Sequence, residues 1–215
     1  MSEHSAQVAH QFEDAEQQHE ASTLGMWAFL ITEVMFFGGL FAGFFVYVLG
    51  HTQAFAEGSR HLDLTLGTIN TVVLLGSSLT MALAVRSAQE GRRQGQVLFL
   101  ILTMTLGLAF LGIKGLEYAH KFEQHLVPGP LFRMDGPHAQ FAQLFFSFYF
   151  AMTGVHALHM IVGVGLLAWL LVNALRGRYS AEYFTPVEVS GLYWHFVDVV
   201  WIFLFPTLYL VARHA

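Results

Sequence analysis

Between Ala139 and Leu175 the chain has no aspartate, glutamate, lysine or arginine. A helix at a protein–water boundary needs a polar face, so an uncharged stretch of this length fits a lipid bilayer instead. At about 1.5 Å per residue it outruns a hydrocarbon core of about 30 Å, and it must tilt or protrude at its Gln140 and Gln143 end. Four further apolar stretches lie near Leu24 to Leu49, Leu64 to Val85, Gln96 to Tyr118 and Ser190 to Ala212. With the one near Phe141 to Leu175 they make five expected spans. The expected fold class is all-α: a polytopic membrane protein, a bundle of five transmembrane helices formed by residues 24–215.

The first 23 residues are expected to form a soluble polar tail, acidic at Glu3, Glu13, Asp14, Glu16 and Glu20 and carrying His4, His10 and His19. They hold no basic start followed by an apolar run, so no cleavable signal peptide is expected. Pro128, Pro130, Pro137 and Pro186 fall between spans, where a missing N–H does no harm; Pro206 falls inside the last and should loosen or kink it. A transmembrane barrel would need short alternating strands, and runs such as Val72 to Leu75 and Ile161 to Leu171 do not alternate.

Only 12% of residues are charged and the formal net charge is -5, which leaves no basic footprint for nucleic acid. The absence of cysteine excludes disulfide scaffolds, thiolate zinc sites, iron–sulfur clusters, thiolate-bridged copper and cysteine nucleophiles. Twelve histidines keep haem and imidazole metal sites open. No phosphate loop, HExxH helix or serine elbow appears. For orientation, Arg86, Arg92, Arg93, Arg176 and Arg178 lie on the side of the N-terminus, against Arg60, Lys121, Arg133 and Arg213 on the other. The arginine-dense second connection favours a cytoplasmic N-terminus, and an odd number of spans then puts the C-terminus outside, periplasmic or extracellular. Trp27 and Trp194 lie near span ends, as an interfacial belt would place them; with Trp201 and Arg176 they are the candidate lipid contacts. Gly39 and Gly43 form a small-xxx-small pair suited to helix packing.

Ionisable groups inside a bilayer cost about 2.5 to 3.5 kcal/mol each even on lenient scales, so each needs a partner or a purpose. Glu33 lies about 13 Å into the first span and must be protonated or hydrogen-bonded; it is either a proton-handling or gating acid or a neutral fastener between helices. His156 and His159, three residues apart, are expected to share a helix face and to hydrogen-bond to Glu33 or a neighbouring helix, with metal or haem ligation as the alternative. His195 and Asp198 share a face on the last helix and could relay a proton or satisfy one another. Lys114 and Glu117 can meet as a local ion pair or snorkel to the interface.

Four segments carry a family resemblance: Phe29-Leu-Ile-Thr-Glu33-Val-Met-Phe-Phe37, Leu116-Glu117-Tyr118, Thr153-Gly-Val-His156-Ala-Leu-His159 and Tyr193-Trp-His-Phe-Val-Asp-Val-Val-Trp201. In this order, each on its helix and joined by Asn70-Thr71 on the second span, they resemble subunit III of the haem-copper oxidases. Many members have seven helices, and this chain's first span matches their third, as in the shorter bacterial versions. The resemblance implies a subunit without haem, copper or other metal and without catalytic residues of its own. It also implies direct packing on subunit I, which with the copper-bearing subunit II reduces oxygen to water and pumps protons, in a bacterial plasma membrane with bound phospholipids. A lipid-filled cleft, suggested as an oxygen path, and support of proton uptake by subunit I are further family attributes. In this reading His156, His159 and His195 are structural, and Glu33 pairs with His156 or His159. Quinol oxidases have related subunits; Glu33 with Tyr193, where that branch tends to differ, points to cytochrome c as donor. The alternatives of another class are a membrane b-type cytochrome using the three histidines, and a small transporter built around Glu33. Neither explains the four ordered segments.

Overall fold

The computed structural model describes residues 11–134 and 139–210, in six helices without a β-strand among them. Five are long and apolar enough to cross a membrane: α1 (Ala15–Gly50), α3 (Leu64–Gln89), α4 (Arg93–Glu123), α5 (Ala139–Leu175) and α6 (Thr185–Tyr209). The sixth, α2 (Thr52–Arg60), is short and links the first two spans.

Local chemistry sets the ends. α1 starts at Ala15 because the Asp14 carboxylate accepts the Gln17 N–H at 2.8 Å, satisfying an otherwise orphaned donor. The helix therefore reaches well into the stretch expected to be a soluble tail. Asp63 caps α3 in the same way, accepting from the N–H groups of Thr65 and Leu66. The hairpin between α3 and α4 turns on Gly91 at φ +68°, a conformation glycine adopts without a Cβ clash. Arg93 closes the other connection at this end, donating to the carbonyls of Ala174 and Leu175 at the C-terminus of α5, where a cation also meets the negative end of the helix dipole. Pro206 does not end α6, which continues to Tyr209 with the Leu210 N–H bonded to the Pro206 carbonyl. It lies in the last turn, where it removes the N–H that the Ile202 carbonyl would accept and little helix follows the break.

α3, α4, α5 and α6 pack into the main bundle. Thr80 and Thr103 share a 2.8 Å hydrogen bond between α3 and α4. The indole of Trp194 is seated between Gly107 of α4 and Gly163 of α5, where a Cβ would come within 2.7 Å and 2.9 Å of its ring. α1 lies at the side, buried only at Leu30, Phe37, Phe44 and Val48, a narrow seam close to the seven-residue repeat of a single helix stripe. Its lower end is held by edge-to-face rings, Phe44 against Phe55 of α2 at 5.3 Å and against Phe148 of α5 at 5.8 Å. Gly39 and Gly38 have nothing within reach of a Cβ, and Gly43 meets only the ring of Phe148; the Gly39/Gly43 pair does not bring two backbones together.

Candidate functional site

The polar side chains expected to matter fall into three separate groups. In the first, Glu33 of α1 meets His159 of α5, with Nε2 3.2 Å from Oε2. His156 does not join it. The other ring nitrogen of His159 lies 2.9 Å from the Val155 carbonyl, which can only accept, so Nδ1 carries a proton. Two arrangements then fit the contact: a protonated Glu33 donating to a neutral imidazole, or an imidazolium donating to the carboxylate. They differ by the position of one proton along a single hydrogen bond. Tyr193 of α6 donates to the His159 carbonyl at 3.0 Å, and the rings of Phe37 and Tyr193 flank the imidazole at 5.4 and 6.4 Å. Both partners are mostly covered, with side chains 18% and 16% exposed.

The second group is the ion pair of α4. Lys114 Nζ donates to Glu117 at 2.9 Å and to the hydroxyls of Tyr149 on α5 and Tyr209 on α6 at 3.2 and 3.1 Å. Tyr209 in turn donates to the other Glu117 oxygen at 2.5 Å. The ammonium also lies 5.2 Å from the Trp201 ring, a cation–π distance. Both side chains are buried, so the pair fastens three helices and does not snorkel. His156 lies next to this layer, its ring 5.4 Å from Phe110 and 5.3 Å from Trp201. Neither of its nitrogens has a hydrogen-bond partner among the described residues. Although three residues apart, His156 and His159 serve different neighbours.

The third group lies between α3 and α6. His195 Nδ1 is 2.7 Å from Ser78 Oγ, and it does not pair with Asp198. The Asp198 carboxyl is buried beside Ser78 and makes no hydrogen bond to His195, so the direct His195–Asp198 relay is not formed. Trp194 and Trp201 are almost wholly buried and donate to Ser77 and Thr71 at 3.0 and 3.1 Å. They pin α6 to α3 and do not face lipid, which corrects the placing of both as lipid contacts. Trp27 is exposed, and Arg176 is exposed in the turn after α5. Among the described residues no cluster of three or more His, Asp or Glu could hold a metal.

Sequence reasoning missed Tyr149, Tyr209 and Ser78 as partners, and also Lys121, which donates to the His61 carbonyl at 2.6 Å. The usable signal was Lys121 itself, seven residues beyond Lys114 on the same helix face.

Five apolar helices with their ionisable side chains turned toward one another define an integral membrane protein of the polytopic all-α class. A family model described as cytochrome c oxidase subunit III matches residues 5–213. The chain is 32% identical over 200 residues to cytochrome c oxidase subunit 3 of Thermostichus vulcanus, covering 93% of this chain and 92% of that one. It is 31% identical over 189 residues to quinol oxidase subunit 3 of Bacillus subtilis, covering 88% and 86%. With cytochrome c oxidase subunit 3 of the fish Gadus morhua it shares 35% over 191 residues, covering 86% and 67%. The chain belongs to the cytochrome c oxidase subunit III family, a subunit of the haem-copper oxidases, which are multi-subunit oxidoreductases of respiratory chains.

Proposed function

We propose that the chain is a cofactor-free, non-catalytic subunit of a proton-pumping cytochrome c oxidase in a bacterial plasma membrane. It packs directly on subunit I alongside subunit II and sustains proton uptake by the complex. The observation that carries the proton-handling part of this reading is the 3.2 Å contact of Glu33 with His159, a one-proton pair held at membrane depth. Haem ligation by His159 would compete with its bonds to Glu33 and Val155, which counts against the b-type cytochrome. Bound phospholipid is supported by an almost wholly apolar groove of about 370 Å³ between α1 and α6, lined by Val34, Phe37, Phe41, Phe196 and Phe203 among others.

Gentle detergent extraction of a tagged chain, followed by an optical spectrum and partner identification, tests the reading. Haem and copper in co-purifying larger subunits are expected. Haem on the isolated chain, or no oxidase partners, would overturn it. Turnover of the purified complex with reduced cytochrome c against quinol decides the donor; the 31% identity to a quinol oxidase subunit makes quinol the reading to beat. Glu33→Ala should leave the oxidase assembled and initially active but shorten its working lifetime, and normal sustained turnover with intact pumping would refute the role given to Glu33.

A further inference from the structure

The imidazole of His195 has half of its hydrogen-bonding capacity unmet within the chain. Nδ1 lies 2.7 Å from Ser78 Oγ. Nε2 has no donor or acceptor among the described residues, and on this half-buried side chain it opens to the outside of the bundle. Ser78 and His195 sit near the middle of α3 and α6, at hydrocarbon depth. Helical spacing puts Leu75 and Ile202 on the same outward face, and these are 50% and 44% exposed. A neutral imidazole has one donor and one acceptor nitrogen, so whichever role Ser78 takes, Nε2 is left needing the opposite one. Acyl chains offer neither. An unpaired polar group facing hydrocarbon is costly, and polar residues at this depth normally face protein or a water-filled cavity.

Among the described residues the outward faces of α1 and α5 at this depth present no such demand. Glu33 and His159 satisfy each other, and the exposed side of α5 is apolar at Leu158, Ile161 and Val162. We propose that the outward α3–α6 face seats a transmembrane helix of a neighbouring oxidase subunit, apolar along its length but carrying one hydrogen-bonding side chain that meets His195 Nε2. The inference rests on the reading of the chain as an oxidase subunit and adds to it which face docks and through which atom.

The chain has no cysteine, so single replacements can carry a photoreactive crosslinker without background from the chain itself. In the intact complex, Leu75→Cys and Ile202→Cys, both outside the apolar α1–α6 groove, should crosslink to another oxidase subunit. Crosslinks only to lipid, or only to a second copy of this chain, would overturn the proposal. Two substitutions separate docking from folding. His195→Gln keeps a polar group where Nε2 stands, whereas His195→Asn keeps one near Nδ1 and removes the outer one. The Gln variant should hold the complex together. The Asn variant should insert with unchanged helix content but lose about tenfold of the co-purified oxidase under increasing detergent, and equal retention by both would overturn the proposal. A wild-type chain that brings down no haem protein overturns the oxidase reading and this inference with it. A wild-type complex that crosslinks only through other faces overturns this inference alone.

Discussion

Lys114 and Glu117 form their ion pair away from water, where neither charge tolerates the loss of the other. Removing one partner of such a pair typically costs about 3 to 5 kcal/mol, while replacing both by apolar groups of similar volume is often neutral. Lys114→Met should therefore destabilise the chain by that amount, and Lys114→Met with Glu117→Leu should recover most of it. Unfolding in mixed detergent, followed through the Trp201 fluorescence beside Nζ, measures both; a double variant as unstable as the single one would contradict the account. Tyr209→Phe removes the 2.5 Å donor to Glu117 and should cost about 1 to 3 kcal/mol by the same measurement. Glu33 obeys a different logic, because the role proposed for it depends on a movable proton. Glu33→Gln can still donate to His159 Nε2 but cannot release a proton, so it should preserve assembly as well as the wild type while sharing the shortened working lifetime of Glu33→Ala. Full lifetime in the Gln variant would show that only the fastening matters.

At the scale of elements, α6 is the organising helix, pinned to α3 through Trp194 and Trp201 and received by glycines on α4 and α5. A side chain at Gly163 would intrude on the Trp194 ring, with its Cβ at 2.9 Å. Gly163→Leu should destabilise by about 1 to 3 kcal/mol through overpacking and shift the tryptophan emission, whereas Gly165→Leu, with open space at its Cβ, should do neither. These elements were unequally legible in the sequence. The five spans and their order could be read because bilayer thickness alone fixes a minimum apolar length. The inward rotation of Trp194 and Trp201 was not read, because no hydrophobic stripe marks the buried side of α6, although Asp198, four residues after Trp194 and three before Trp201, is buried on their face. Position near a span end suggested lipid for Trp194, and the facing glycines, distant in sequence, explain the opposite. α2 escaped notice because nine residues give too few turns for a period to emerge. Among the site residues, Glu33 and the histidines announced themselves as ionisable groups at membrane depth, yet the split between His156 and His159 depends on which helices stand on either side of α5.

Across the whole molecule the two ends of the bundle differ in how their cations are used. At the end that holds the start of α1, Arg86 and Arg92 reach Glu90, Arg93 closes on the α5 carbonyls, and Arg176 and Arg178 remain in the last turn. At the opposite end Lys121 is buried against the His61 carbonyl, leaving Arg60 and Arg133 as the exposed cations among the described residues. The orientation bias counts lysine and arginine in the short connections near span ends and takes little account of acidic neighbours, so pairing of Arg86 and Arg92 with Glu90 does not weaken it. The end with α1's start is thus expected to be cytoplasmic. Glu20→Cys and Gln94→Cys should resist a membrane-impermeant thiol reagent in intact cells and react once the membrane is opened, whereas Glu123→Cys should react from outside at once. Because the wild-type chain contributes no thiol of its own, the labelling reads orientation directly, and the reverse pattern would place the N-terminus outside and overturn the inside assignment drawn from the arginines.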